Sequence, residues 1–301
     1  MPDRRRAPAA FSPALLRERV LDWYAVNARA LPWRDPSCSP WGVLVSEVMS
    51  HQTPVARVEP VWHEWMRRWP TPTHLAAESP GEVVRAWGRL GYPRRALRLR
   101  EAAAVLVERH AGAVPDDEPT LRALPGVGAY TAAAVAAFAF GRRTTVVDTN
   151  VRRVLARAVR GDAHAAPALT VGESALAASL VPDDAATSAT WNVAVMELGA
   201  LVCQARAPRC DACPVLDVCA WVAAGRPAHE GPPRRGQAWH GTDRQVRGAV
   251  LQLLRERPGA VARDALATSG PDPVQVDRCI ASLVEDGLLE PHGGDRYRLP
   301  R

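Results

Sequence analysis

Residues 124–135 read Leu-Pro-Gly-Val-Gly-Ala-Tyr-Thr-Ala-Ala-Ala-Val, a Pro-Gly bend that runs straight into a stretch of alanines built to be a helix. With helical sequence on both sides, the segment is a hairpin between two helices. Gly126 and Gly128 can take backbone angles closed to other residues, and neither puts a side chain in the way of an approaching phosphate. The positive end of the second helix faces the same place. The backbone of Gly126, Val127 and Gly128, with Tyr130 and Thr131 at the exit, therefore suits a polyanion backbone held without base reading. A Pro-Gly bend between helices is also an ordinary turn.

Outward from this hairpin, residues 12–224 are helical almost throughout. Residues 11–28, 42–53, 57–69, 81–90 and 96–111 each repeat apolar positions at helical spacing. Turn signals separate them at 31–37, 70–74, 91–95 and 114–120. The fold class expected is all-α. A Pro/Gly-rich linker occupies 225–242. Beyond it, 243–301 reads as three helices and a closing short hairpin at 291–300, a winged-helix-like pattern that serves either as a DNA-binding module or as a plain protein contact. The first eleven residues, basic and rich in Pro and Ala, read as a disordered arm.

The 301 residues carry 38 basic side chains, every one an arginine, and a formal net charge of +6. That balance suits a polyanionic partner, although a coding bias that replaces lysine with arginine gives the same composition. No apolar run is long enough to span a bilayer and no signal peptide is legible, so the expected location is the cytoplasm.

Four of the six cysteines, Cys203, Cys210, Cys213 and Cys219, fall within seventeen residues. In a chain without a secretion signal this crowding points to a metal centre. A single CxxC with two outlying partners suits a [4Fe-4S] cluster better than the paired thiolates usual for zinc, which remains the rival. Cys38 and Cys279 stand apart and read as free thiols.

Residues 146–157, Val-Val-Asp-Thr-Asn-Val-Arg-Arg-Val-Leu-Ala-Arg, place Asp148 and Asn150 after an apolar strand-like stretch and at the head of a helix. An aspartate there is by default an N-cap, worth about 1 kcal/mol. In residues 41–52 Glu47 is the one charged side chain of an apolar helix, where desolvation would raise its pKa and keep a proton available. A buried glutamate paired with an arginine is the structural alternative.

Taken together, residues 124–141, 146–157 and the cysteine loop resemble the helix-hairpin-helix DNA glycosylase superfamily, endonuclease III branch. Residues 31–34 (LPWR), 46–58, 87–99 and 194–203 (AVMELGALVC) are similar to its A/G-specific adenine DNA glycosylases. The resemblance covers residues 12–225. It implies a two-lobed fold with a cluster lobe from 12–31 and 143–224 and a six-helix barrel from 32–142 that carries the hairpin. The implied activity is monofunctional removal of adenine mispaired with 8-oxoguanine or guanine in double-stranded DNA, by a monomer.

The resemblance also distributes roles. Glu47 becomes the general acid toward the extruded adenine, and Asp148 the carboxylate that stays ionised beside the sugar cation, oriented by Asn150. Tyr130 occupies the place where strand-cutting relatives carry a lysine nucleophile, and this chain has no lysine at all. Arg34, Trp33, Glu197 and Ser50 line the pocket for the flipped base. Gln52 is the wedge that enters the base stack, and Thr53 lies near the opposing base. Ser50 and His51 depart from the family's Leu-Gln, which puts a hydroxyl where an apolar contact is usual. The tail is too short for the larger C-terminal domain of many members. Two other readings keep much of the pattern: a thymine or uracil glycosylase acting opposite guanine, and a catalytically silent DNA-damage-binding protein.

Overall fold

The computed structural model describes residues 12–229, 231 and 239–301. The arm expected at 1–11 and part of the expected linker lie outside the described residues. The chain divides into two compact units. Unit 1 contains the described parts of Met1–Ser37, Asp116–Pro119 and Gly128–Pro233, and unit 2 those of Cys38–Pro115, Thr120–Val127 and Arg234–Arg301.

Unit 1 is built on helices Pro13–Asn27, Ala129–Phe140, Thr149–Leu155, Val171–Leu180 and Ala185–Leu201. Their starts are set by local chemistry. Ser12, Asp148, Thr170 and Asp184 each accept a hydrogen bond from a first-turn backbone N–H, and Thr170 forms a full capping box with Glu173. Leu16, Val20, Val154, Trp191, Val195 and Leu198 form its buried core. The stretch before Asp148 is no strand. Its backbone is held by the amide of buried Asn192, which accepts from Val146 N (3.1 Å) and donates to the Thr144 carbonyl (2.9 Å).

Unit 2 is centred on tryptophans. Trp65 packs edge-on against Trp69 and Trp87, with ring centroids 4.8 and 5.4 Å apart. Buried indole N–H groups find acceptors: Trp41 on Trp69 O, Trp62 on Gly42 O, Trp65 on Ala86 O, Trp87 on Gly91 O, and Trp69 on the Glu78 carboxylate (3.3 Å). Residues 70–74, expected as a turn, instead lead into a short helix, Pro72–Ala77, because proline at the first helical position already has the helical φ.

The last residues form helices Asp243–Glu256, Arg263–Ala267 and Pro273–Glu285 and a three-stranded antiparallel sheet. Its strands are β1 (Val261–Ala262), β2 (Glu290–Pro291) and β3 (Arg296–Arg298), in the order β1-β3-β2. The third strand, β1, was not legible because two residues cannot alternate. This module is seated on helix Pro80–Trp87. Val84 is buried in its core, Arg255 Nε donates to the Val84 carbonyl (3.0 Å), and Arg85 Nη1 donates to the Leu254 carbonyl (3.2 Å). Gly81 permits the approach, since a Cβ there would lie 2.4 Å from the Pro300 carbonyl oxygen. Gly81→Ala is therefore expected to destabilise the full chain by about 1–3 kcal/mol, through overpacking against backbone. Urea unfolding measures it, and an unchanged midpoint would mean that the C-terminal strand does not sit there.

Candidate active site

In unit 1, Asp148 combines the two sequence readings. It is the N-cap of helix Thr149–Leu155, with Oδ1 accepting from Val151 N at 2.6 Å, while Oδ2 accepts from Asn150 Nδ2 at 2.6 Å. Burial raises its carboxyl above the usual aspartate range, against the downward pull of those hydrogen bonds and the Arg153 charge.

Asn150 is itself fixed. Arg153 Nη2 donates to Asn150 Oδ1 (2.7 Å) and to the Gly199 carbonyl (2.7 Å), and its Nε donates to the Cys203 carbonyl (2.6 Å). Gly199 lets helix Ala185–Leu201 come this close, since a Cβ there would meet Asn150 Cβ at 2.7 Å. Sequence reasoning missed Arg153, although its place one helical turn after Asn150 was the available signal.

Glu197 is completely buried. Arg29 grips it through Nε (2.7 Å), Nη2 (2.6 Å) and its backbone N (3.0 Å), and Arg34 Nη2 adds a bond of 2.9 Å. Burial alone would raise this carboxyl, but the hydrogen bonds and charges of Arg29 and Arg34 bring it down to about 2. Arg29 was not among the expected site residues, because nothing local in the sequence distinguishes it. Trp33 is buried beside Arg34, and Tyr130 packs against Ala133, Ala134, Ala137 and Val146.

The hairpin is partly as expected. Gly126 has φ +77°, and a Cβ there would meet Arg98 Cβ at 2.8 Å, so glycine is required. Gly128 is extended (φ −90°), a conformation open to any residue, with free space around it and no side-chain cap on the helix it begins. Two expectations need correction. The Val127 N–H donates to the Leu124 carbonyl (3.1 Å) to close the turn, and the Thr131 side chain is buried at 1% exposure, which takes it away from any ligand at the surface.

Unit 2 carries Glu47, Ser50, Gln52 and Thr53. Glu47 is 8% exposed in helix Pro40–Ser50, whose residues from Trp41 to Met49 are all buried. Arg95 closes that helix, with Nη1 donating to the carbonyls of Val48 (2.8 Å), Met49 (3.2 Å) and His51 (2.7 Å). Its Nη2 donates to Thr53 Oγ1 (3.2 Å), and Thr53 Oγ1 donates to the Leu90 carbonyl (3.0 Å). Burial, helped by the Arg95 charge, pushes His51 down to about 4, so it is neutral at pH 7. Gln52 follows, exposed and in the left-handed region (φ +54°).

In the cysteine loop all four thiols are unbridged. Burial pushes the Cys213 thiol up to about 12, and Cys203, Cys219 and Cys210 add in the same direction, so the four sulfurs lie within electrostatic reach of one another. Buried Arg157 serves the loop, donating to Cys203 Sγ (3.5 Å) and to the carbonyls of Gln204 (2.7 Å) and Ala205 (3.1 Å). Among the described residues no set of three or more His, Cys, Asp or Glu side chains converges as ligands around an ion. The donor set of four gathered thiols beside a buried cation nevertheless fits an anionic thiolate-bound cluster by its chemistry.

The chain is similar to known proteins. Residues 45–170 match the family described as HhH-GPD superfamily base excision DNA repair protein. Over 302 aligned residues, all of this chain and 99% of the relative, the sequence is 50% identical to the adenine DNA glycosylase of Mycobacterium tuberculosis. The chain belongs to the adenine DNA glycosylase family. A thermostable thymine-DNA glycosylase structure matches at TM-score 0.62 and 27% identity, covering 69% of this chain and 95% of that one. A non-covalent endonuclease III–DNA complex matches at TM-score 0.59 and 24% identity, covering 72% and 98%, and shows the shared fold.

The Glu197 clamp generates a prediction with a definite sign. A depressed folded-state pKa contributes stability that is present above the unfolded value, near 4.3, and lost as pH falls toward about 2. Glu197→Gln should cost roughly 3–5 kcal/mol at pH 7, because Arg29 and Arg34 lose their counter-charge. Its deficit relative to the unmodified chain should shrink between pH 4.3 and 2. Urea unfolding across that range checks both, and a deficit that does not change with pH contradicts the clamp.

Proposed function

We propose that this chain is a monofunctional glycosylase that removes adenine mispaired with 8-oxoguanine or guanine from double-stranded DNA, hydrolysing the N-glycosidic bond. It acts as a monomer in the cytoplasm. The observation that carries this reading is the held carboxylate of Asp148, in a chain 50% identical over its full length to a named adenine DNA glycosylase. The thymine-specific alternative has less support, since the thymine-DNA glycosylase is only 27% identical.

Adenine leaves poorly unless it is protonated. Glu47, as the acid, gives its proton to a ring nitrogen of the extruded base. The C1′–N9 bond then breaks, its electron pair goes to the base, and the sugar is left cationic. The Asp148 carboxylate stabilises that cation. Asn150, tied to Asp148 and Arg153, orients the carboxylate and a water. The water oxygen adds to C1′, and its proton goes to the Glu47 carboxylate.

The flipped adenine is received by Arg34, Trp33, Glu197 and Ser50. The full burial of Glu197 makes its part indirect, since it fixes the Arg34 guanidinium. Gln52 fills the vacated stack and Thr53 sits near the opposing base, while the backbone of Gly126 and Gly128 takes a phosphate. Tyr130 stands at the hairpin exit as a residue without an amine, so no Schiff base forms there. Cys203, Cys210, Cys213 and Cys219 would hold a [4Fe-4S] cluster, which would offset part of the thiolate charge and order the loop carrying exposed Arg206 and Arg209.

Glu47→Gln and Asp148→Asn are each expected to reduce single-turnover adenine release by about 100-fold or more, with duplex affinity changed by no more than a few-fold. Asp148→Asn should also leave the protein at least as stable at pH 7. A raised folded-state pKa means that ionised Asp148 opposes folding, a penalty absent below the unfolded value of about 3.9. Near-normal release by either variant refutes the assigned roles. Duplexes with A opposite 8-oxoguanine, G or C, and with T or U opposite G, test the substrate. Products should remain uncut until heated in alkali.

The purified protein should be yellow-brown with four irons per chain, and Cys203→Ser should lose DNA affinity before it loses chemistry. Stoichiometric zinc without iron overturns the cluster.

A further inference from the structure

Arg157 is a buried cation that no carboxylate answers. It sits in the π-helical turn Ala156–Arg160 that continues helix Thr149–Leu155, and it is 3% exposed. Its hydrogen bonds go to neutral carbonyls and to sulfur. Nε donates to the Ala163 carbonyl (3.0 Å), Nη1 to the Gln204 carbonyl (2.7 Å) and to Cys203 Sγ (3.5 Å), and Nη2 to the Ala205 carbonyl (3.1 Å). The Trp221 ring covers the guanidinium, with its centroid 4.9 Å from the central carbon.

Carbonyl dipoles complete the hydrogen bonding but do not cancel a full charge, and a buried charge is tolerated only when something opposite in sign stands near it. Among the described residues no carboxylate lies within salt-bridge distance of Arg157. The acids of the cysteine loop are turned elsewhere, since Asp217 pairs with Arg19 and Asp211 is exposed. Arg153, the other arginine at Cys203, differs in that the Asp148 carboxylate acts on it. What remains near Arg157 is sulfur. Its guanidinium meets the first cysteine of the loop, and its backbone carbonyl accepts from Sγ of the last, Cys219, at 3.6 Å. Four thiolates carry more negative charge than the iron–sulfide core they bind can offset, so a bound cluster is the missing counter-charge.

We propose that Arg157 is the built-in counter-cation of the [4Fe-4S] cluster and sets its reduction potential, favouring the more negative charge state through the Cys203 sulfur. The proposal rests on the cluster reading above. A cluster's potential follows its net charge, the hydrogen bonds to its sulfurs and its exposure to water. Arg157 supplies both a charge and a hydrogen bond, and the Trp221 ring limits the water that would screen that charge. A guanidinium that only braced the loop would need its carbonyl bonds alone.

The test uses the full chain, purified with its iron. Arg157→Gln removes the charge, whereas Arg157→Lys keeps it and loses the forked geometry. Metal analysis gives iron per chain, and voltammetry, with the electrode as electron donor and acceptor, gives the one-electron midpoint. Arg157→Gln should favour the oxidised state about tenfold at any fixed potential, a midpoint lower by about 59 mV for one electron. Arg157→Lys should stay within about threefold of the unmodified chain. Equal shifts in the two variants, or no fall in Arg157→Gln, overturn the proposal, because the side chain then acts only by bracing the loop. If Arg157→Gln loses its iron, retention by Arg157→Lys supports the counter-charge, and loss from both overturns it. An unmodified chain that holds zinc in place of iron refutes the cluster reading and this proposal together. An iron-loaded chain whose midpoint ignores Arg157→Gln refutes the proposal alone.

Discussion

A carboxylate with no access to water is the constraint around which unit 1 is arranged. Glu197 is placed on helix Ala185–Leu201 at complete burial, and an ionised group there is tolerable only while two guanidiniums complete its hydrogen bonding. Both guanidiniums come from the segment after the first helix, so the demand of one side chain fixes where that segment runs. Arg34 in turn is oriented by Glu197, by the Arg29 carbonyl (3.3 Å) and by its place over the Tyr24 ring. A side chain held this way has little rotamer freedom left to lose on binding a ligand.

The same helix meets the Asp148–Asn150 segment two residues further on. Gly199 admits Asn150, and its carbonyl accepts from Arg153, which also holds the Asn150 side chain and the Cys203 carbonyl. Asp148, Asn150 and the first cysteine of the loop are therefore linked by a single guanidinium. Arg157 works from the other side of that loop, so two arginines one turn apart hold the cysteine segment by its backbone.

In unit 2 arginine again does what a lysine cannot. Arg95 reaches three carbonyls at the end of the Glu47 helix with one nitrogen, while its other terminal nitrogen reaches Thr53 and the Gly91 carbonyl (3.0 Å). The residues around Gln52 are thereby pinned from behind. The polar Ser50-His51 pair is accommodated because His51 stays neutral and its carbonyl is capped by Arg95.

The sequence by itself determined what depends on neighbours in the chain. Helical periodicity, the serine and aspartate caps, the positive φ of Gly126, the crowding of four cysteines and the absence of lysine are all local, and the family motifs lie in short runs around them. What had to wait for tertiary structure was every feature that joins distant segments. Arg29 and Glu197 are 168 residues apart, Arg153 and Cys203 fifty, and Val84 and Arg255 171, so no periodicity or spacing announces them. The direction of the Asp148 shift belongs to the same class. Its cap was legible from the Asp-Thr-Asn sequence, but burial outweighs the cap, and burial is decided only when the surrounding elements close over the side chain.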